Sequence, residues 1–266
     1  MAYTQQIGTH APGLLIILID QSGSMADTYG GTNKAQFAAT AANRCIYEIV
    51  LSCTNGETVK PRCHIAAIGY GATTQILMGG KASELDAQII RQESVRRKVS
   101  DGAGGLIEVD FQMPIWVEPA ADGGTPMSDA FDLASDLIEV WSGENPNSFP
   151  PIVINITDGE PNDANRASSA AKRLTSLGTS DGTTLLLNGH IGEGNSAELK
   201  LPASDSQLND SFARLMFGLS SVLPPKMVAA AQNSGFSPAT GARGFLMNAS
   251  AESLIKLLTF GSSVLR

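Results

Sequence analysis

The sequence predicts a doubly wound α/β fold, a mostly parallel sheet flanked by helices, and three observations carry that reading. Leu14-Leu15-Ile16-Ile17-Leu18-Ile19 and the run Ile152 to Ile156 lack the polar alternation of a half-exposed strand. They suit strands buried on both faces, which a parallel sheet covered by helices requires. Each is closed by an aspartate, Asp20 and Asp158, with a short glycine-containing turn behind it. Apolar runs then alternate with helical periodicities along the chain, the βαβα order of such a sheet.

Residues 1–13 read as a polar lead-in closed by Pro12-Gly13, and 14–20 as the first strand. Ala26 to Asn33 is loop, with Thr32 or Asn33 placed to cap the next helix. From Lys34 to about Leu51, Ala38, Ala41, Ala42, Cys45, Ile46 and Ile49 recur at three and four, an amphipathic helix on the sheet. Residues 63–71 and 73–78 read as strands. A charged stretch, Ser83 to Val99, carries Leu85, Ile89 and Ile90 at helical spacing, Asp101 to Gly105 breaks the pattern, and 106–117 alternates as a strand or hairpin arm. Residues from about 80 to 120 are expected to be an insertion or edge elaboration.

Asp122-Gly123-Gly124-Thr125-Pro126 leads into a helix whose inner face is Ala130, Ala134, Leu137, Ile138 and Trp141, with Pro126 suited to its first turn. After the strand ending at Asp158, helices are expected at 164–177, 206–219, 226–232 and 251–261, and strands at 184–190 and 244–248. His10, His64 and His190 share no spacing with one another and read as structural. Asp27 and Asp129 read as helix-start charges, and Glu160 and Asp163 as solvated.

The 266 residues are expected to form one domain, since 42% hydrophobic and 17% charged residues describe a globular chain with a large core. No apolar run is long enough to span a membrane. The opening Met1 to Gln6 lacks a basic region, so no signal peptide is expected and the cytoplasm is the expected compartment. Three cysteines, Cys45, Cys53 and Cys63, form no C-x-x-C pair and are odd in number. They argue against both a zinc site and a disulfide framework and point to reduced thiols. A net charge of −8 with a single short basic run at 96–98 disfavours nucleic acid as a partner, and no membrane partner is expected.

The chemistry concentrates in Asp20, Ser22, Ser24, Thr125 and Asp158. They come from three loops, each after a strand or before a helix, on the sheet edge where open α/β folds bind ligands. A few hydroxyls with one or two carboxylates suffice for Mg²⁺, which keeps several waters. Asp-x-Ser-x-Ser, the Thr of Gly-Gly-Thr-Pro and the Asp of Thr-Asp-Gly together resemble the metal-ion-dependent adhesion site of von Willebrand factor A domains, and all five positions match. The resemblance implies a Rossmann-like fold and Mg²⁺, with Mn²⁺ or Ca²⁺ as alternatives. The ion would be held by the three hydroxyls, with the aspartates direct or through water, and an Asp or Glu of a protein partner would fill an open position.

A non-catalytic, Mg²⁺-dependent protein-binding module is therefore the expected function. A metal-dependent phosphohydrolase is the alternative, but the haloacid-dehalogenase pattern needs a second Asp where Ser22 stands. Neither a nucleophile elbow nor a dinucleotide or phosphate loop is present. Asp20-Gln-Ser-Gly-Ser-Met25, Met113 to Ala120 and the stretches 220–225 and 241–245 are similar to stand-alone bacterial A domains of the TerY-like type. That likeness implies a link to tellurium resistance or stress, with a Ser/Thr kinase or PP2C-like phosphatase as partner.

Overall fold

The computed structural model describes residues 2–100, 105–192 and 197–265, with only the backbone course given for 97–100 and 106. Seven strands form the central sheet: β1 (Gly13–Asp20), β2 (Cys63–Tyr70), β3 (Thr74–Lys81), β6 (Ile152–Thr157), β7 (Leu185–Ile191), β8 (Leu199–Lys200) and β9 (Phe245–Ala249). A separate two-stranded hairpin pairs β4 (Arg91–Ser100) with β5 (Leu106–Ile115). The sheet order is β8-β9-β7-β6-β1-β2-β3. Its four inner pairings, β9 with β7, β7 with β6, β6 with β1 and β1 with β2, are parallel, and the two outermost are antiparallel. The doubly wound, mostly parallel sheet expected from the apolar runs is therefore present.

Side-chain alternation along β1 divides the core into two layers. Leu15, Ile17 and Ile19 pack with α1 (Lys34–Cys53), α5 (Pro225–Asn233) and α6 (Ala251–Ser263). Leu14, Ile16 and Leu18 pack with α2 (Met127–Glu144), α3 (Ala164–Ser176) and α4 (Ser211–Leu219). Ile16, Ile17 and Leu18 are fully buried, and each such side chain contributes roughly 1.5–3 kcal/mol. Caps set the helix starts, since the Asn33, Asp163, Asp210 and Ser250 side chains each accept a hydrogen bond from a first-turn amide.

Three expectations are corrected. The stretch 83–99 is not helical throughout: a 3-10 turn covers Ala82–Gln88, and the rest is strand β4, paired with β5 at ten positions. Leu85 is buried in that turn, but Ile90 is 57% exposed, so the helical spacing marks no buried stripe. The βαβα order is interrupted, because β3 follows β2 directly as an antiparallel neighbour. The helix expected over 206–219 begins at Ser211, where the Asp210 side chain receives the Ala213 amide at 2.6 Å. Asp163 is exposed, as expected, and its side chain also caps α3. The glycine-rich break at 101–104 lies outside the described residues. The edge strand β8 had no sequence signal. All three cysteines are buried, and none is in a disulfide.

Two side chains finish the sheet's surroundings. The Gln88 amide faces the outer edge of β3, accepting from the Gly79 amide at 3.1 Å and donating to the Gly79 carbonyl at 2.9 Å. Buried Asn43 on α1 accepts from the Trp116 and Val117 amides at 2.9 and 3.0 Å and donates to the Val117 carbonyl at 2.8 Å. It thereby anchors the extended segment that leads from the hairpin to the loop at Thr125.

Histidine burial gives the fold a pH dependence. Burial pushes both His64 and His190 below the ordinary imidazole value, with the Lys81 charge adding to the effect on His64. A depressed folded-state pKa means that the unfolded chain binds more protons once the pH drops below about 6.5, so this contribution is present above that value and lost below it. The melting temperature is expected to fall between pH 7.5 and pH 5, and to fall less in His64→Gln.

Candidate metal centre

β1 and β6 lie side by side in the middle of the sheet, so their carboxyl ends bring Asp20 and Asp158 to one rim. The sheet runs outward from β1 in opposite senses, through β2 and β3 on one side and β6, β7 and β9 on the other. That is the switch point at which such folds form a ligand crevice. The turn after β1 is held to the turn before α2 by two backbone bonds, Asp122 N–H to the Gln21 carbonyl at 2.7 Å and Gly23 N–H to the Gly123 carbonyl at 3.0 Å. Gly71 permits that approach. A Cβ there would stand 2.5 Å from the Gln21 carbonyl oxygen and 2.7 Å from that of Asp122.

Four of the five expected residues form a connected chain. The Ser22 amide donates to Asp20 Oδ1 at 2.8 Å, the Ser22 and Ser24 hydroxyls are 3.2 Å apart, and Ser24 Oγ donates to Asp158 Oδ1 at 2.7 Å. Thr125, the fifth, is bonded instead to Asn162: its amide donates to Asn162 Oδ1 at 2.9 Å, and its carbonyl accepts from the Asn162 amide at 3.0 Å. Gly123, two residues before it, is the residue bonded to Gly23 of the Ser22–Ser24 turn. Asp27, Glu160 and Asp129 take no part in this chain.

Sequence reasoning missed four neighbours. Thr157 Oγ1 donates to Asp20 Oδ2 at 2.6 Å, so both oxygens of this fully buried carboxylate are hydrogen-bonded. Burial nevertheless raises the Asp20 pKa, the Thr157 and Ser22 bonds oppose that rise, and the Asp158 charge adds to it. Lys34 Nζ donates to Asp158 Oδ2 at 2.7 Å and lies 3.5 Å from Asp27 Oδ2. Burial lowers the Lys34 pKa, but the Asp158 hydrogen bond and the two aspartate charges outweigh it and hold the ammonium above its usual range. The third neighbour is Asn162. The fourth is His190, read as unconnected to the site, whose ring lies against the Asp158 backbone and accepts from the Asn248 amide at 3.2 Å. Only Thr157 had a signal in the sequence, its place directly before Asp158.

Among the described residues no three His, Cys, Asp or Glu side chains are grouped to hold a metal. A cation here would depend on hydroxyl oxygens, and the donor set fits a hard divalent ion. Ser24 gives its proton to Asp158 and keeps lone pairs for a ligand, and Asp20 is locked by its two donors. Oxygen-only coordination of this kind suits Mg²⁺ and its hard relatives.

No protein-family model and no curated protein matches the sequence. Solved structures do match. A pilus adhesin from Lactobacillus rhamnosus GG aligns over 98% of this chain and 31% of its own, at 12% identity and a TM-score of 0.57. The manganese-loaded TRAP protein of Plasmodium vivax aligns over 87% of this chain and 70% of its own, at 17% identity and a TM-score of 0.41. Proximal thread matrix protein 1 from the mussel byssus, with its zinc-occupied MIDAS motif, aligns over 70% and 37%, at 14% identity and a TM-score of 0.39. This chain spans under a third of the adhesin's length, and what the two share is the fold: a mostly parallel sheet between two helical layers.

Proposed function

We propose that this chain is a von Willebrand factor A-like module that binds a protein partner, without catalysis, through a divalent cation. Ser22, Ser24 and Thr125 would hold the ion, with Asp20 and Asp158 as direct or water-bridged ligands. Mg²⁺ is the first choice, and Mn²⁺ or Ca²⁺ are alternatives. The reading rests chiefly on the convergence of residues from separate loops, above all the 2.7 Å bond between Ser24 and Asp158, 134 positions apart. An ion ligated mainly by neutral hydroxyls retains most of its charge and attracts an anion, whereas a cage of carboxylates would quench it. A partner's Asp or Glu is that anion. The likeness to TerY-type domains supports a bacterial, cytoplasmic protein of a stress or tellurium-resistance system, with a Ser/Thr kinase or PP2C-like phosphatase as partner.

Thermal unfolding tests the site directly. At a hundredfold excess over its dissociation constant, Mg²⁺ stabilises the folded state by about 2.7 kcal/mol. For a chain of this size that raises the melting temperature by roughly 5–10 °C relative to EDTA. Ser22→Ala, which keeps the amide bond to Asp20, is expected to melt like wild type in EDTA and to lose the metal response. A wild-type melting temperature indifferent to Mg²⁺, Mn²⁺ and Ca²⁺ alike would remove the basis for the proposal.

A further inference from the structure

Lys34 is an improbable residue for its position. It opens α1, where the helix's positive end disfavours a cation, and its side chain is only 4% exposed. Lysine is almost never buried to this extent unless it is paired. Its nearest partner is Asp158, whose side chain is fully buried and whose other oxygen already accepts from Ser24. The three groups form a fixed relay, in which Lys34 donates to Oδ2 and Ser24 donates to Oδ1 of a single carboxylate.

We infer that Lys34 is the built-in counter-ion of the metal site, engaging Asp158 so that it orients Ser24 rather than ligating the cation directly. The inference rests on the metal-site reading and adds its regulation. With Oδ2 committed to the ammonium, Asp158 keeps Ser24 Oγ turned with its lone pairs outward, and half of the site's carboxylate charge is neutralised from within. The ion is then bound less tightly than two free carboxylates would bind it, and it remains correspondingly attractive to an external acid. Lys34 is a positioning residue that trades metal affinity for affinity towards an acidic partner.

The test is isothermal titration of Mg²⁺ and Mn²⁺ into wild type, Lys34→Met, Lys34→Gln and Lys34→Arg, together with water-proton relaxation of the Mn²⁺ forms. By Coulomb's law, a unit positive charge about 6 Å from a divalent ion would weaken the ion's binding by about tenfold even at the dielectric constant of water, and removing it would restore that factor. Lys34→Met and Lys34→Gln are therefore expected to bind either ion about tenfold more tightly, and to show fewer exchangeable waters on Mn²⁺ as Asp158 turns inward. Lys34→Arg should restore wild-type values on both readouts. Lys34→Gln keeps a hydrogen-bond donor for Asp158 and serves if the methionine variant does not fold. Equal or weaker metal binding in the neutral variants, with wild type binding normally, overturns the role of Lys34 and leaves the site intact. A wild-type protein that binds neither ion removes the site and this inference with it.

Discussion

Asp158→Ala is expected to unfold about 3–5 kcal/mol more readily than wild type in EDTA, the effect of leaving one member of a buried ion pair behind. The stranded group is Lys34, whose side chain is 4% exposed and whose remaining acidic neighbour, Asp27, stands 3.5 Å away with two-thirds of its side chain in solvent. Asp27 is too wet to replace a 2.7 Å contact with a fully buried carboxylate. Urea denaturation measures the loss as a lower midpoint at unchanged slope. Replacing both partners, Lys34→Met with Asp158→Leu, should recover most of it, because no unpaired charge is then left in the interior. If Asp158→Ala unfolds at the wild-type midpoint, the pair carries no structural weight.

Asn155→Ala should cost roughly 3–4 kcal/mol for a different reason. Asn155 sits among the aliphatic residues of β6, yet its carboxamide accepts from the Tyr70 hydroxyl at 2.6 Å and donates to Asn188 Oδ1 at 3.0 Å. Asn188 continues to Ser220 Oγ at 2.9 Å, and Ser220 donates to the Met216 carbonyl at 2.8 Å. All four side chains in this line are buried, and Tyr70 and the two asparagines are completely so. Truncating the middle of the line orphans the Asn188 acceptor and leaves the Tyr70 hydroxyl only its longer 3.5 Å contact to the Ile156 carbonyl, at about 1–3 kcal/mol each. The cost also reaches the rim, because the Asn155 amide contacts Met127 Sδ at 3.9 Å and Met127 is the first residue of α2. Metal affinity is therefore expected to fall along with stability. Adding Tyr70→Phe should cost less in the Asn155→Ala background than in wild type, and strict additivity in that double-mutant cycle would show that the line is not a unit.

The central strands were legible because burial on both faces leaves an uninterrupted run of Leu and Ile, and the aspartate closing each run marked the rim. Asp20, Ser22, Ser24 and Asp158 of the candidate centre stood out for the same reason, since they follow those runs closely, whereas Thr125 stood out through its Gly-Gly-Thr-Pro loop before α2. Of the outer hairpin, β5 was legible as a strand or hairpin arm over 106–117, but its partner β4 was not. Much of it stands in solvent, and the Arg91 contacts to Glu93 and Glu118 offer charge rather than an apolar face to periodicity arguments. Lys34 was invisible in another way, because a lysine at the head of an amphipathic helix looks like surface. Only the fold, which sets the start of α1 beside the end of β6, makes it a buried partner. The relation of Asn155 to Tyr70, 85 positions away, likewise exists only once β1 has come between their two strands.

The two margins of the sheet close off one mode of association and favour another. On one flank the terminal strand is only two residues long, and on the other the Gln88 amide occupies backbone groups of Gly79 that an incoming strand would need. Growth by edge-to-edge pairing, the route to ribbons and tangles, is obstructed at both limits. Under the proposed function, a partner would meet this chain at the carboxyl rim of the sheet instead.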